Sequence, residues 1–191
     1  MKSKYGYKDI LISNIKGLIT VATAEEGVGN DISHMEFFKR AGEGHTFVSG
    51  IIPSEVPLTN EFGEKEPDMP TMHVSTPLRD RNGVVVGIVA VRVDVKALND
   101  LMLSLKLGKT GETYLVNKDG YMVTESRFAR DLKDMGFIKR RCALELKLVN
   151  RETDELTTGV KQCVTGNNGF DAKGYKDYRG ITVLSVWRWL P

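Results

Sequence analysis

The chain has 191 residues, 41% of them hydrophobic, with 27 basic and 25 acidic side chains and a formal net charge of +2. That is apolar material for one domain or two small ones, it excludes a disordered or fibrous chain, and the near balance of charge supplies no field that would select nucleic acid or an anionic membrane. No apolar run approaches the roughly 20 residues needed to cross a bilayer, and the opening MKSKYGYKD lacks the apolar core of a signal peptide. Both ends read as cut, so the expectation is an excised piece of a longer protein.

In chain order, residues 9–23 (DILISNIKGLITVAT) hold two apolar runs broken at NIKG, which predicts a hairpin turning at residues 14–17. Residues 25–31 are polar and glycine-bearing, a loop. Residues 33–41 (SHMEFFKRA) have Ser33 as N-cap with Glu36 three residues on, the spacing of a capping box, and predict a short helix. Residues 46–52 read as a strand, and residues 53–70, with four prolines, as a long surface loop. Two strand-like runs follow, 71–78 and 84–93, joined across a turn containing Asn82 and Gly83, a strong hairpin signal. From Val95 the period changes: Val95, Leu98, Leu101, Met102 and Leu105 recur at helical spacing, with Asp94 at the switch.

After Gly108 the order starts again. Residues 113–126 (TYLVNKDGYMVTES) predict another hairpin, residues 140–150 a helical stretch, residues 159–164 a weak strand, residues 166–174 a loop, and ITVLSVWRWL a final strand. The turn glycines Gly17 and Gly120, and the late glycines Gly83 and Gly180, are separated by similar intervals, which argues for a duplicated unit of about a hundred residues.

Strand alternation defines the candidate site. Thr71, His73 and Ser75 share one face of their strand, as do Ala90, Arg92 and Asp94 on its partner, while Met72, Val74, Val89, Val91 and Val93 lie on the other side. Either the polar face meets water, as in an ordinary half-exposed hairpin, or it faces helix 33–41. In the second case His73, Ser75, Arg92 and Asp94, with Phe47 and Ser49 on the preceding strand, line a polar cavity closed by Phe37 and Phe38, the composition of a small-molecule site. Asp94 has two compatible roles, helix cap and ligand acceptor.

Other chemistry is excluded. Leu107-Gly108-Lys109-Thr110 ends like a phosphate-binding loop, but Leu103 stands where that loop needs glycine, and a helix precedes it. His34, His45 and His73 have no metal-type spacing, and no nucleophile sits in an elbow. Cys142 and Cys163 are expected as buried free thiols, although an oxidising compartment would permit a disulfide. Tyr175, Tyr178, Trp187 and Trp189 read as core and interface aromatics.

Four ordered segments, DISHMEFFKRA, TMHVSTPLRDRNGVVVGIVAVRVD, LGKTGETYLVNKDGYMVTES and YKDYRGITVLSVWRWLP, resemble the double Cache sensor domains. These are tandem PAS-like modules found outside the membrane in bacterial and archaeal chemoreceptors, sensor histidine kinases and diguanylate cyclases. The resemblance implies an α+β fold of two PAS-like modules, each an antiparallel sheet with flanking helices. Residues 1–94 would form the membrane-distal module, 95–110 a linking helix, and 111–191 the membrane-proximal module, truncated at its C-terminus. A ligand pocket is expected in the distal module, where an aspartate matching Asp94 often contacts a ligand donor. The long helix that opens such domains is missing or reduced to residues 1–8. The amino-acid-binding subgroup carries Arg, Trp and Tyr along the distal helix; Met35, Phe37 and Phe38 match those positions here, so an α-amino acid ligand is not favoured unless Arg92 supplies the cation.

The expectation is therefore a non-catalytic, extracytoplasmic sensor domain of a transmembrane receptor that binds a small polar molecule, with a ligand-free dimerisation and signal-transmission module as the alternative. No cofactor, metal or nucleic acid is expected. The parent is expected to be a homodimer that meets the membrane only through segments outside this chain.

Overall fold

One turn recurs at five places among the described residues, and it lays out the strands. At Asn14, Asn60, Asp80, Asn117 and Asp177 the side-chain Oδ1 accepts the backbone N–H groups two and four residues on, at 2.8–3.1 Å. A glycine three residues on donates its N–H to the carbonyl of that Asn or Asp at 2.9–3.1 Å. Those glycines have φ near +80°, from 77° at Gly180 to 89° at Gly17, where a Cβ is disfavoured.

The computed structural model describes residues 7–24, 27–60, 62–93, 95–105 and 107–190, and it divides into two units, Met1–Lys96 and Ala97–Pro191. The architecture is α+β, with antiparallel strand pairs and short helices.

In the first unit, β1 (Tyr7–Asn14) and β2 (Ile19–Ala22) form the first hairpin, and β7 (Pro70–Arg79) and β8 (Val85–Val93) the central one. Short strands β3 (Phe47–Val48) and β4 (Ile52–Pro53) both pair with β7, and the sheet order is β2-β1-β8-β7-β3. The close β1–β8 pairing requires Gly87, where a Cβ would lie 2.1 Å from the Ser13 carbonyl oxygen. Register places Asp9 opposite Arg92, Leu11 opposite Ala90, His73 opposite Arg92 and Ser75 opposite Ala90. Alternation then puts Asp9, Leu11, Ser13, Thr71, His73, Ser75, Ala90 and Arg92 on one buried face. Helix α1 (Glu36–Gly42) covers it, burying Phe37, Phe38 and Ala41 beside Leu11, Ile19, Ile32, Ile88 and Ala90.

Two expectations for this unit need correction. The helix begins three residues after Ser33, and its N-cap, Met35, makes no side-chain cap bond. The Ser33 N–H donates to Asp31 Oδ1 at 2.8 Å and Met35 N–H to the Ile32 carbonyl at 3.0 Å, so the chain is still turning where the capping box would begin. The expected strand over residues 46–52 is two short strands, and the proline-rich segment holds a small ribbon, β5 (Leu58–Thr59) with β6 (Lys65–Glu66).

Helix α2 (Lys96–Ser104) follows, with no buried residue. In the second unit α3 (Ala129–Asp134) contributes Leu132 and α4 (Thr158–Val164) contributes Val160 to a core with Met122, Ile138, Cys142, Leu146, Leu148 and Tyr178, and α4 also packs on β9 (Gly169–Lys176) and β10 (Thr182–Trp187). Residues 140–150 are not helical, although apolar residues at 142, 143 and 146 imitate helical spacing. The Glu125 carboxylate accepts the N–H groups of Cys142 (3.0 Å) and Ala143 (3.2 Å), and Leu144 takes φ 66°, so the backbone cannot continue a helical ladder. Residues 158–164 are helical rather than extended, with Val160 buried. The expected loop 166–174 overlaps β9. The resemblance implied a long antiparallel sheet here too; the second unit instead has the two-stranded β9–β10 pair and isolated bridges, Val116 with Met122, Tyr121 with Lys147, and Val149 with Leu156. Of the four aromatics assigned to packing, Tyr178 is fully buried while Trp189 is 38% exposed. Both cysteines are free; Cys142 is buried and Cys163 only partly so.

Candidate functional site

A fully buried guanidinium sits at the centre of the first unit. Arg92 stands on β8 and is 1% exposed. Its Nη1 donates to Asp9 Oδ2 on β1 at 3.1 Å, and its Nη2 to Glu55 Oε1, which reaches in from the segment after β4. The other Asp9 oxygen accepts the Thr23 hydroxyl and the Ala24 N–H, the latter at 2.8 Å, so that carboxylate is satisfied on both sides. His73 Nε2 lies 3.5 Å from the same Glu55 oxygen, and the imidazole stacks on Phe37 with ring centroids 4.3 Å apart and planes 12° from parallel. Burial pushes the Glu55 carboxyl up, but His73 and then Arg92 outweigh it and bring it down to about 2.

This network is incomplete. Arg92 Nε, Glu55 Oε2, Thr71 Oγ1 and His73 Nδ1 are buried without a hydrogen-bond partner among the described residues, and His73 Nε2 has only the long 3.5 Å contact with Glu55 Oε1. Burying such groups unpaired costs about 1–3 kcal/mol each, more where charge is involved, so their concentration on one face is unusual for a purely structural core. Beside them lies a cleft of about 560 Å³ between the segment before α1 and the end of β4, lined by Asp31, His34, Met35, Glu36, Ile52 and Glu55 among others. Glu55 belongs to both the cleft wall and the buried network. The Asp31 carboxyl is held below its usual range, chiefly by the Ser33 N–H. Among the described residues no cluster of His, Cys, Asp and Glu could hold a metal ion, and no helix is long and apolar enough to cross a membrane.

Solved structures share this arrangement of elements. An extracellular ligand binding receptor from Desulfohalobium retbaense DSM5692 matches at TM-score 0.53 and 14% identity over 90% of this chain and 26% of its own. The extracellular domain of a protein taken to be a histidine kinase, vpHK1S-Z8, matches at 0.53 and 19% over 88% of this chain and 60% of its own. The domain of a sensory box/GGDEF family protein from Vibrio parahaemolyticus matches at 0.50 and 20% over 88% of this chain and 63% of its own. The fold is one shared with these extracellular and sensory domains. The chain therefore spans less than two thirds of each of these structures. No protein-family model matches the sequence, and no curated protein matches it.

Within this fold the anticipated residues divide into groups. His73, Ser75 and Arg92 face inward against α1, as the second reading of the ribbon requires. Phe37 lies against His73, whereas Phe38 and the half-buried Phe47 pack with the apolar core, Phe47 also beneath the Arg40 guanidinium at 5.9 Å. The Ser75 hydroxyl donates to the Phe37 carbonyl at 2.8 Å; the Ser49 hydroxyl accepts the His73 N–H at 2.8 Å and donates to the Gly50 carbonyl. Both hydroxyls thus hold backbone to backbone. Asp94 lies outside the described residues. Sequence reasoning missed Asp9 and Glu55. Asp9 had a usable signal, since Asp9, Leu11 and Ser13 alternate on the face opposite Ala90 and Arg92 once β1 pairs with β8. Glu55 had none, because it lies in a proline-rich segment without period.

Proposed function

We propose that the first unit is the ligand-binding module of an extracytoplasmic sensor, in which a small polar molecule occupies the cleft against Glu55 and draws on the polar face of His73, Thr71 and Arg92. The observation that carries this reading is the set of buried, unpartnered polar atoms on that face, beside a cleft that shares Glu55 with it. The fold supports it, because solved domains of this fold include an extracellular ligand binding receptor. In this reading residues 1–94 are the distal module, 95–110 the link, helical only over Lys96–Ser104 among its described residues rather than throughout as expected, and 111–191 the proximal module. The parent is a membrane receptor, dimeric and without catalysis in this region. Phe37, His73 and Arg92 contribute to the site, Phe38 and Phe47 shape its wall, and Ser49 and Ser75 fix the backbone beneath it. Ligand moves the receptor's equilibrium only through its differential affinity for two arrangements.

A second reading, a ligand-free interaction module, is favoured by one observation: Phe170, Leu184 and Val186 on β9 and β10 are 72%, 71% and 84% exposed. A thermal-shift screen of organic acids, amines, sugars and nucleobases separates the two. A ligand at a hundred times its dissociation constant adds about 2.7 kcal/mol of stability. A shift abolished by Glu55→Gln supports the sensor; no shift from any class sinks it in favour of the second reading.

A further inference from the structure

The charges around the cleft select among ligand classes, and this step rests on the sensor reading above. The described residues that line the cleft include three carboxylates, Asp31, Glu36 and Glu55, and neither lysine nor arginine. Asp31 and Glu36 are exposed on the segment entering α1, whereas the Glu55 side chain is 7% exposed and its Oε2 is buried without a partner. The nearest guanidinium does not offset this. Arg92 holds Asp9 with one terminal nitrogen and Glu55 with the other, so two carboxylates face it, and it lies beneath Glu55 rather than on the cleft wall. An incoming carboxylate or phosphate would meet three like charges, a repulsion strengthened wherever water is excluded, and would have to displace Glu55 to reach Arg92. An ammonium or guanidinium would be attracted by Asp31, Glu36 and Glu55, and a small turn of the Glu55 side chain toward it would give its buried, unpaired oxygen a charge-assisted hydrogen bond.

We infer that the molecule taken by this cleft is a small organic cation, an amine or guanidine, with Glu55 as its buried counter-ion and Asp31 and Glu36 as the outer carboxylates. The cleft volume is ample for a small cation, and the wall formed by Met35 and Ile52 suits a short alkyl body between its polar ends.

The test is a calorimetric and NMR titration of the whole chain with size-matched probes: 1,3-diaminopropane and guanidinium as cations, malonate as an anion, and 1,3-propanediol as a neutral. The expected result is saturable binding of the cations alone, weakening as salt rises, with the His34 ring resonances moving because His34 lines the same cleft. Glu55→Gln should reduce affinity more than tenfold. Since that substitution also touches Arg92, the exposed pair Asp31→Asn and Glu36→Gln provides the second variant. It should keep the fold and weaken cation binding about fivefold per charge. Cation binding that leaves His34 unmoved, or that the paired variant does not weaken, overturns the assignment to this cleft. Binding of malonate or propanediol in place of the cations overturns the charge inference while leaving the sensor reading intact. Binding of no probe, with no shift in the broader screen, overturns both.

Discussion

The main buried polar clusters of the two units are completed differently, although Trp187 Nε1 in the second is also buried without a hydrogen-bond partner among the described residues. In the second, Glu112 accepts the Ser126 hydroxyl at 2.6 Å on one oxygen and the Tyr178 hydroxyl on the other, while Ser126 Oγ also accepts the Phe128 N–H at 3.1 Å. Arg179 closes on Asp177 at 2.6 and 2.8 Å and stacks 4.0 Å above the Phe128 ring. Each of these groups has its partner within the chain. In the first unit the Asp9, Arg92, Glu55 and His73 series ends in unpartnered nitrogens and a free carboxylate oxygen. A complete network fixes one packing, and an open one leaves directed hydrogen-bonding capacity for something else. The contrast is what the proposed binding role of the first unit rests on, while the Glu112 and Asp177 clusters of the second serve to fix its packing.

The most disruptive way to break this comparison is Arg92→Leu. It leaves Asp9 and Glu55 buried without a counter-ion, and the first unit should lose about 3–5 kcal/mol, read as faster amide hydrogen exchange in β7 and β8. Replacing Asp9 and Glu55 by leucine as well should recover most of that loss, because an apolar core tolerates the absence of the whole cluster better than the absence of one member. Failure of the triple variant to recover stability would mean that the arginine acts through packing rather than charge.

Acid comes next. Burial raises the Glu55 carboxyl, but His73 and Arg92 together hold it at about 2 against 4.5 for an unperturbed glutamate, so the fold favours the ionised form. The resulting stabilisation, about 3 kcal/mol, is fully present above pH 4.5 and is lost as pH falls towards 2. Urea unfolding of Glu55→Gln should therefore show a weaker pH dependence over that window than the parent chain. In the second unit Tyr178→Phe removes one donor to Glu112, leaves an oxygen unmatched, and should cost about 2 kcal/mol. Tryptophan fluorescence reads that loss directly, because Trp187 and Trp189, the chain's two tryptophans, both lie in this unit.

Legibility in the sequence followed the same division. The hairpins of the first unit could be read because period-two alternation and Asn or Asp with a glycine three residues on are local signals, and the shared face of His73, Ser75 and Arg92 followed from one register, although alternation alone left open whether that face met water or helix 33–41. Glu55 could not be read, since it is brought in by the path of a proline-rich segment rather than by any period. In the second unit the residues at 142, 143 and 146 carry an apolar spacing that local reasoning assigns to a helix. The distant Glu125 carboxylate and the left-handed Leu144 override it. Helix α4 was misjudged from its valines, Val160 and Val164, whose β-branching favours strands, although their spacing of four already places them on one helical face.

The smallest expected effect tests whether capping or packing starts helix α1. A serine whose hydroxyl satisfies a helix N-terminus contributes about 1 kcal/mol, and its loss should be visible in the first unit. Ser33 makes no such bond: the helix begins at Glu36, Met35 stands at the cap position, and Ser33 is tied instead to Asp31. What fixes the helix start is burial of Phe37 and Phe38 against the sheet, together with the Ser75 hydroxyl on the Phe37 carbonyl. Ser33→Ala should therefore change unfolding free energy by less than about 0.5 kcal/mol. Ser75→Ala, which removes the buried side-chain hydrogen bond to the Phe37 carbonyl, should cost about 1–2 kcal/mol. Equal losses from the two variants would restore the capping box and move the origin of the helix from tertiary packing back to local sequence.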